Sequence, residues 1–279
     1  MGGQLAERAR TVLVTAGATR AIGTAAGPLA DLLPGGRARW ERTNHRGETV
    51  TLLEGPAAAL GLAAGALLAR RWPARLRAAA ALAALGAGGF GVLDDLSGSA
   101  GDRGLRGHLT ALRAGRITTG SLKIAGLAAT GWAASRVAGH RGVDAMVSGG
   151  VVAGMANLAN LLDLRPGRCL KLALLHAPAL ALSPGAALLA PPVGAATALL
   201  RDDLGERSML GDAGANALGA SIGLAAVVAY GRVGRLAHLV GLIAATLASE
   251  KVSFTELIAR TPLLRSIDEL GRRPAPTAV

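Results

Sequence analysis

The sequence predicts an all-α, polytopic helical membrane protein of about nine transmembrane helices with a cytoplasmic amphipathic C-terminal tail. Three observations predict it. Of 279 residues, 51% are hydrophobic and 17% charged, and mean hydropathy is +0.41. Ala and Leu, both good helix formers, dominate, and 40 Gly permit the close backbone approach by which helices pack in a bilayer. Apolar runs alternate with short polar stretches in which Lys and Arg gather. A soluble bundle would instead carry charged stripes at helical spacing, and Ala145 to Leu162 carries no charge at all.

Nine segments read as spans: 11–33, 54–70, 76–93, 117–136, 144–162, 169–183, 186–200, 213–231 and 235–250. The first is read as a retained helix rather than a cleaved signal, because eight more apolar runs follow. It contains Arg20, and a charge in a membrane segment needs a partner or water. Several apolar centres fall below the ~20 residues of a full span, and flanking Arg and Lys can snorkel to extend them. Ser183-Pro184-Gly185 separates the sixth from the seventh, and Pro191-Pro192 is expected to distort the seventh near its start. Residues 1–252 therefore form a transmembrane domain, and 253–279 a tail. Apolar Phe254, Leu257, Ile258, Leu263, Leu264, Ile267 and Leu270 are spaced among charges as in amphipathic helices broken at Pro262, lying along the membrane face or covering a site. Pro274 to Val279 is expected to be disordered.

If 34–53, 94–116, 163–168, 201–212 and 251–279 share a side, that side holds 19 of the 30 Lys and Arg, helix-end neighbours included. The positive-inside rule makes it cytoplasmic and puts the N-terminus outside. The localisation expected is a multi-pass cell-membrane protein. The net charge of +12 fits such loops and anionic lipid, so no nucleic-acid partner is expected. The single Cys169 excludes an internal disulfide and a cysteine-based zinc site. On this topology Asn44, Asp94, Asp95, Asn160, Asp163 and Asp212 all reach the cytoplasmic rim.

Asp94-Asp95 ends one apolar run and opens a polar stretch with Arg103, Arg106, Arg113, Arg116 and Lys123. Adjacent carboxylates at a membrane helix end need water, a cation or a metal. Mg²⁺ takes oxygen ligands and often needs only one or two carboxylates beside substrate phosphates. Asp94, Asp95 and Asp212, on separate helix ends, can converge on such an ion. Gly211 and Gly214 let backbone approach a phosphate at the start of the eighth helix, whose free N–H groups and dipole favour an anion. Asn157, Asn160 and Asp163 recur every third residue on one broad face. They can bind a sugar or nucleotide, or join neighbouring helices.

Phe90-Gly91-Val92-Leu93-Asp94-Asp95, Asn157-x-x-Asn160-x-x-Asp163, Met209-Leu210-Gly211-Asp212-Ala213-Gly214 and Asn44-His45-Arg46-Gly47 resemble, in order over about residues 40–220, the motifs of the polyprenyl-phosphate N-acetylhexosamine-1-phosphate transferases. This superfamily includes phospho-N-acetylmuramoyl-pentapeptide transferase. The resemblance implies Mg²⁺-dependent transfer of a sugar-1-phosphate from a UDP-sugar to a polyprenyl phosphate, with release of UMP, for peptidoglycan or another envelope glycan. It implies that Asp212 holds Mg²⁺. Asp94 and Asp95 would position or deprotonate the lipid phosphate, Asp95 also helping to hold the metal. Asn160 and the catalytic Asp163 would act on the nucleotide side, and Asn44, Arg46 and Asn157 would bind substrate. Lys123 and Arg106 would receive phosphate charge, although Lys123 also reads as a snorkelling helix-end lysine. Three departures stand out. Pro166 replaces the second acid of the third motif, Ala215 replaces the Ser after the last Gly, and the His-rich loop before the final helix has no counterpart. Two rivals remain open at this point: a catalytically silent relative that binds a lipid carrier or scaffolds envelope-building proteins, and a small transporter. A homodimer is also left open.

Overall fold

The computed structural model describes residues 2–32, 35–97, 115 and 118–274. Among these residues the chain is mostly helical, with eleven α-helices. They are α1 (Gly2–Asp31), α2 (Glu54–Leu67), α3 (Ala74–Ser97), α4 (Thr119–Val137), α5 (Gly142–Leu162), α6 (Arg168–Ala179), α7 (Ala190–Leu204), α8 (Gly211–Ala229), α9 (Arg232–Ser249), α10 (Phe254–Arg260) and α11 (Pro262–Glu269). Each of the nine apolar segments is occupied by one of α1–α9. Pro184 opens a 3-10 turn, Pro184–Leu189, and Pro191 and Pro192 sit in the first turn of α7. There the missing N–H groups would have had no helical partner, so the prolines start the regular helix.

Three helices are long and apolar enough to cross a membrane: α3, α5 and α8. Together α9 and α10, bent by 97° at their break, pass the same test as a pair. Others are shorter; α2 has 14 residues and α6 has 12. At 1.5 Å per residue, 14 residues rise about 21 Å against a hydrocarbon core of about 30 Å.

One feature departs from the all-α expectation. Strands β1 (Glu41–Thr43) and β2 (Thr49–Thr51) pair antiparallel, with Arg42 opposite Val50. Three residues per strand are too few to show alternation. The turn is held by the Asn44 side-chain oxygen, which accepts from the Arg46 and Glu48 N–H groups at 2.9 Å each. The Met209 N–H donates to the Thr51 carbonyl at 2.9 Å, so the hairpin also fixes the segment that leads into α8.

Helix α8 is the axis of the bundle, packing against α5, α3 and α2 and buried along nearly its whole length. Small residues make this possible. A Cβ at Gly91 of α3 would meet the Asp212 and Ala213 backbone, and one at Gly55 of α2 would meet Leu210 and Ala213. In the tail, α10 and α11 part at Thr261-Pro262. Asp268 of α11 is buried against α6. Arg168 donates to its two oxygens at 2.8 and 3.0 Å, and the Lys171 ammonium donates to its carbonyl at 2.7 Å.

The α5–α8 contact can be tested with single methyl groups. A Cβ at Gly219 would lie 2.7 Å from Ala156 Cα and 2.7 Å from Ala159 Cβ, whereas one at Gly241 of α9 meets nothing within 4 Å. Gly219→Ala is expected to destabilise by about 1–3 kcal/mol, the usual scale of overpacking. Gly241→Ala should be neutral or slightly stabilising. Thermal midpoints in detergent check this, and equal midpoints would mean that α5 and α8 do not meet in this register.

Candidate functional site

The site begins where α3 ends. Gly211 has φ +60°, which turns the chain sharply into α8, and α8 has no side-chain cap from its own flanking residue. Asp95 supplies one from another helix. Its Oδ1 accepts from the Asp212 N–H at 3.1 Å and its Oδ2 from the Ala213 N–H at 3.0 Å. A carboxylate on the first N–H groups of a helix satisfies orphan donors and meets the positive end of the dipole. Arg42 of β1 donates to the Asp95 carbonyl, so the hairpin is tied to the same junction.

With Asp95 held there, Asp94 and Asp212 face a common cation. The Lys123 ammonium donates to Asp94 Oδ2 at 2.6 Å and also to Asp212 Oδ2. Lys123 is held in place by the start of α4, where Thr118 and Ser121 cap each other reciprocally at 3.0 and 2.9 Å. The amide of Asn160, oriented to satisfy its neighbours, donates to Asp212 Oδ1 at 2.8 Å and accepts from Lys123 at 3.3 Å. Asp94, Lys123, Asn160 and Asp212 thus form one cluster drawn from four helices. Arg106, expected with Lys123 to receive phosphate charge, lies outside the described residues, as do Arg103, Arg113 and Arg116.

Asn157 points elsewhere. Its amide donates to Thr246 on α9 at 3.0 Å, a helix-to-helix tie of the kind used in membrane bundles. It still lines, with Lys123, Ile124, Leu127, Asn160 and Leu161, a largely apolar groove of about 340 Å³ that reaches the cluster.

Asn44 and Asp163 line a second, smaller cavity of about 60 Å³, with Asp203 and Glu206. Asn44 donates to Glu206 at 3.0 Å, and Arg46 Nε donates to the other oxygen at 2.7 Å. Arg46 also donates to the carbonyls of Arg273 and Pro274 at 2.9 and 2.8 Å. Arg273 in turn holds Glu48 at 2.6 and 2.9 Å. Asn44 and Arg46, both assigned to substrate, are therefore engaged by a buried glutamate, and Arg46 also by the tail. Burial pushes the Asp163 carboxyl well above the usual range; the charges of Asp203, Asp212 and Asp95 act the same way, against the Gly211 N–H. Burial lowers His45, against the opposing pull of Glu206.

Sequence reasoning missed Glu206, and it reads Arg201-Asp202-Asp203 as an acid pair in a solvated loop or on the nucleotide side; its members diverge. Asp202 is the counter-charge of Arg20, the cation inside the first apolar segment, and of Arg207. Asp203 is 4% exposed and accepts from the Gly167 N–H at 2.6 Å. Glu206, 6% exposed, has φ +55°. Asp202 and Asp203 are adjacent in the last turn of α7, past its apolar run, where the sequence pattern does not distinguish them.

The oxygen donors at Lys123 fit a hard cation: two carboxylates and an amide carbonyl already surround one positive charge. Asp212 shares that charge with Asp94, whereas both Asp95 oxygens are used by N–H groups. Among the described residues no group of three or more His, Cys, Asp or Glu is arranged to hold a metal, so phosphate or water oxygens would have to complete the shell. No family model matches the chain, and no curated protein sequence matches it.

Asp203 lies beyond the apolar segment that ends at residue 200. Burial pushes its carboxyl up to about 6. The folded chain therefore keeps a proton that the unfolded chain releases near pH 4, so stability falls as pH rises from about 4 to 6 and is flat above. A rise of this size corresponds to about 3 kcal/mol. Asp203→Asn should remove that slope, because its amide oxygen can still accept from Gly167. Thermal midpoints of both proteins across this window test it; parallel curves would contradict it.

Proposed function

We propose that the chain is a membrane transferase of the polyprenyl-phosphate sugar-1-phosphate class, acting at the cytoplasmic face of a nine-span domain. The observation that carries this reading is the meeting of Asp94, Lys123, Asn160 and Asp212 at one point, beside an apolar groove. Phosphoryl transfer requires charge neutralisation and alignment of attacking and leaving oxygens more than covalent help from the protein. This cluster has the parts for both.

In the proposed reaction a phosphate oxygen of the polyprenyl phosphate attacks the sugar-bearing phosphorus of the UDP-sugar. The bond to the UMP oxygen breaks, and UMP leaves. Asp94 and Asp212 would hold Mg²⁺, which when bound would neutralise the diphosphate. Lys123, released from the acids, would turn its ammonium to the acceptor or leaving phosphate. Asn160 would orient Asp212 and Lys123. Asp95 would act by positioning, keeping the α8 N-terminus and Asp212 in register with Asp94. The prenyl chain would lie in the groove lined by Ile124, Leu127 and Leu161. Asp163, Asn44 and Arg46 would face the nucleotide, which requires Arg46 to exchange its tail carbonyls for the donor.

A second reading is kept because a specific observation favours it. Lys123 bridges both acids and Arg46 is engaged by Glu206 and the tail, which suits a silent relative that binds a lipid carrier without turnover. A transporter is less well supported, because the acids sit at helix ends rather than at mid-bilayer.

The test is purified protein with polyprenyl phosphate, Mg²⁺ and a panel of UDP-sugars, read as UMP release. One donor is expected to yield UMP. Asp212→Asn is expected to abolish release, and Asp95→Asn to cost on the order of a hundredfold. Donor binding without UMP release by the parent would select the silent relative. A fully active, normally folded Asp212→Asn would remove Asp212 from the mechanism.

A further inference from the structure

A cavity of about 460 Å³ lies where the start of α1 meets the α2–α3 connection and the 3-10 turn before α7. Its volume falls in the range of small-molecule sites, about 300–1,000 Å³. Helix α3, long and apolar enough to cross a membrane, begins at Ala74 beside the cavity and carries Asp94-Asp95 near its other end. The cavity therefore sits at the opposite end of the bundle from the Lys123 cluster, at the level where lipid headgroups would surround such a helix.

One half of the lining is cationic. Arg8 and Arg71 face the cavity with a single acid, Glu7, and Glu7 is already engaged. Its side chain is 11% exposed, stands 3.6 Å from Arg10, and accepts from the Arg71 backbone N–H at 3.2 Å. The Arg8 guanidinium donates to the Ala181 carbonyl at 3.1 Å, a partner without charge. The Arg71 guanidinium lies against Gly3, where a Cβ would stand 2.5 Å from it, and no carboxylate pairs with it among the described residues. The surroundings add to the surplus. Residues 1–10 and 68–77 hold six arginines, Arg8, Arg10, Arg70, Arg71, Arg75 and Arg77, against Glu7 alone.

The other half is apolar. Leu76, Leu182 and Leu188 line the same cavity, and Leu182 is fully exposed, so covering it with hydrocarbon is favourable. A metal cation has the wrong sign for this lining. A free inorganic anion would use the arginines and leave the leucines wet. An amphiphile with a phosphate head uses both, because the planar guanidinium matches phosphate oxygens two at a time. The surplus of positive charge selects a head with net negative charge over a zwitterionic one, whose ammonium would meet the same arginines.

We propose that this cavity holds an anionic phospholipid, with its phosphate on Arg8 and Arg71 and its acyl chain on Leu76, Leu182 and Leu188. The inference rests on the membrane placement of α3 and not on the transfer reaction, and its test does not use turnover.

The full chain is placed in nanodiscs of phosphatidylcholine, of phosphatidylcholine with phosphatidylglycerol, and of phosphatidylcholine with glycerol phosphate in solution. Native mass spectra of retained lipid and thermal midpoints are recorded. Phosphatidylglycerol should be retained in preference to phosphatidylcholine and should raise the midpoint, and glycerol phosphate should do neither. Arg71→Gln, a change at an exposed side chain, should weaken phosphatidylglycerol retention about tenfold, the scale of one charge-assisted contact, with an unchanged midpoint in phosphatidylcholine alone. Arg141→Gln is the control. Arg141 precedes α5 at the same end of the bundle and does not line the cavity, so its loss should leave retention nearly intact. Equal losses in the two variants would mean diffuse attraction to an anionic surface and would overturn the site. No preference for phosphatidylglycerol in the parent would overturn it too, as would stabilisation by glycerol phosphate without retained lipid.

Discussion

The structure depends on one junction, the Asp95 carboxylate set on the Asp212 and Ala213 N–H groups in the first turn of α8. It determines how deep α3 penetrates beside α8, because both oxygens must reach Asp212 and Ala213. Gly91 permits that depth, since any side chain there would strike the α8 backbone. Once the depth is set, Asp94 and Asp212 are close enough to share a single ammonium. Three acids could not gather here on repulsion alone. One meets a helix N-terminus, and the other two share the single charge of Lys123. The cluster exposes two carboxylates to whatever cation or phosphate displaces the lysine.

Around this junction the rim is laced by charges that are buried rather than solvated. Arg168 and Asp268 form a two-bond pair with side chains 7% and 10% exposed, and Arg272 adds a third bond to the same carboxylate at 2.9 Å. Bidentate pairs of this kind fix geometry more than they add net stability, because desolvation offsets much of the attraction. Their effect is to dock α10 and α11 against α6. The chain beyond then reaches the hairpin, where Arg46 and Arg273 close the link. The tail thus joins α6 to the hairpin beside the small acidic cavity. The position matters for function, since the same Arg46 serves both the tail and the proposed donor pocket.

Much of this was legible in the sequence. The helical segments followed from apolar runs and their punctuation, and Ser183-Pro184-Gly185 and Pro262 fell where helices part. The meeting of Asp94 with Asp212 was readable because each ends or begins an apolar run. What the sequence could not show is which acid turns which way. Asp94 and Asp95 are adjacent, and a helix separates neighbours by about 100°, so one faces Lys123 and the other the α8 backbone. Asn157 and Asn160 share a face, but only Asn160 reaches Asp212. Asp203, in the last turn of α7, and Glu206, just after it, lie past the apolar run that would show a periodicity, and the hairpin is too short to leave a pattern. Residues 98–114, with Arg103, Arg106 and Arg113, lie outside the described residues, as do 116–117 and 275–279. Crossing of a membrane is supported by length and composition for α3, α5 and α8, and the remaining spans belong to the proposal.

The central claim is that Asp94 and Asp212, now sharing Lys123, form a divalent-cation site when a diphosphate is present. The direct measurement is equilibrium binding of Mn²⁺, as a paramagnetic probe for Mg²⁺, to the full chain with UDP present, followed by electron paramagnetic resonance. Parent protein should bind. Asp212→Asn and Asp94→Asn should each bind at least about tenfold more weakly, one charge-assisted contact being worth that much. Lys123→Met should bind Mn²⁺ in the absence of UDP more tightly than the parent, because the competing ammonium is gone. Unchanged Mn²⁺ binding in both acid variants, with folding intact, would contradict the claim.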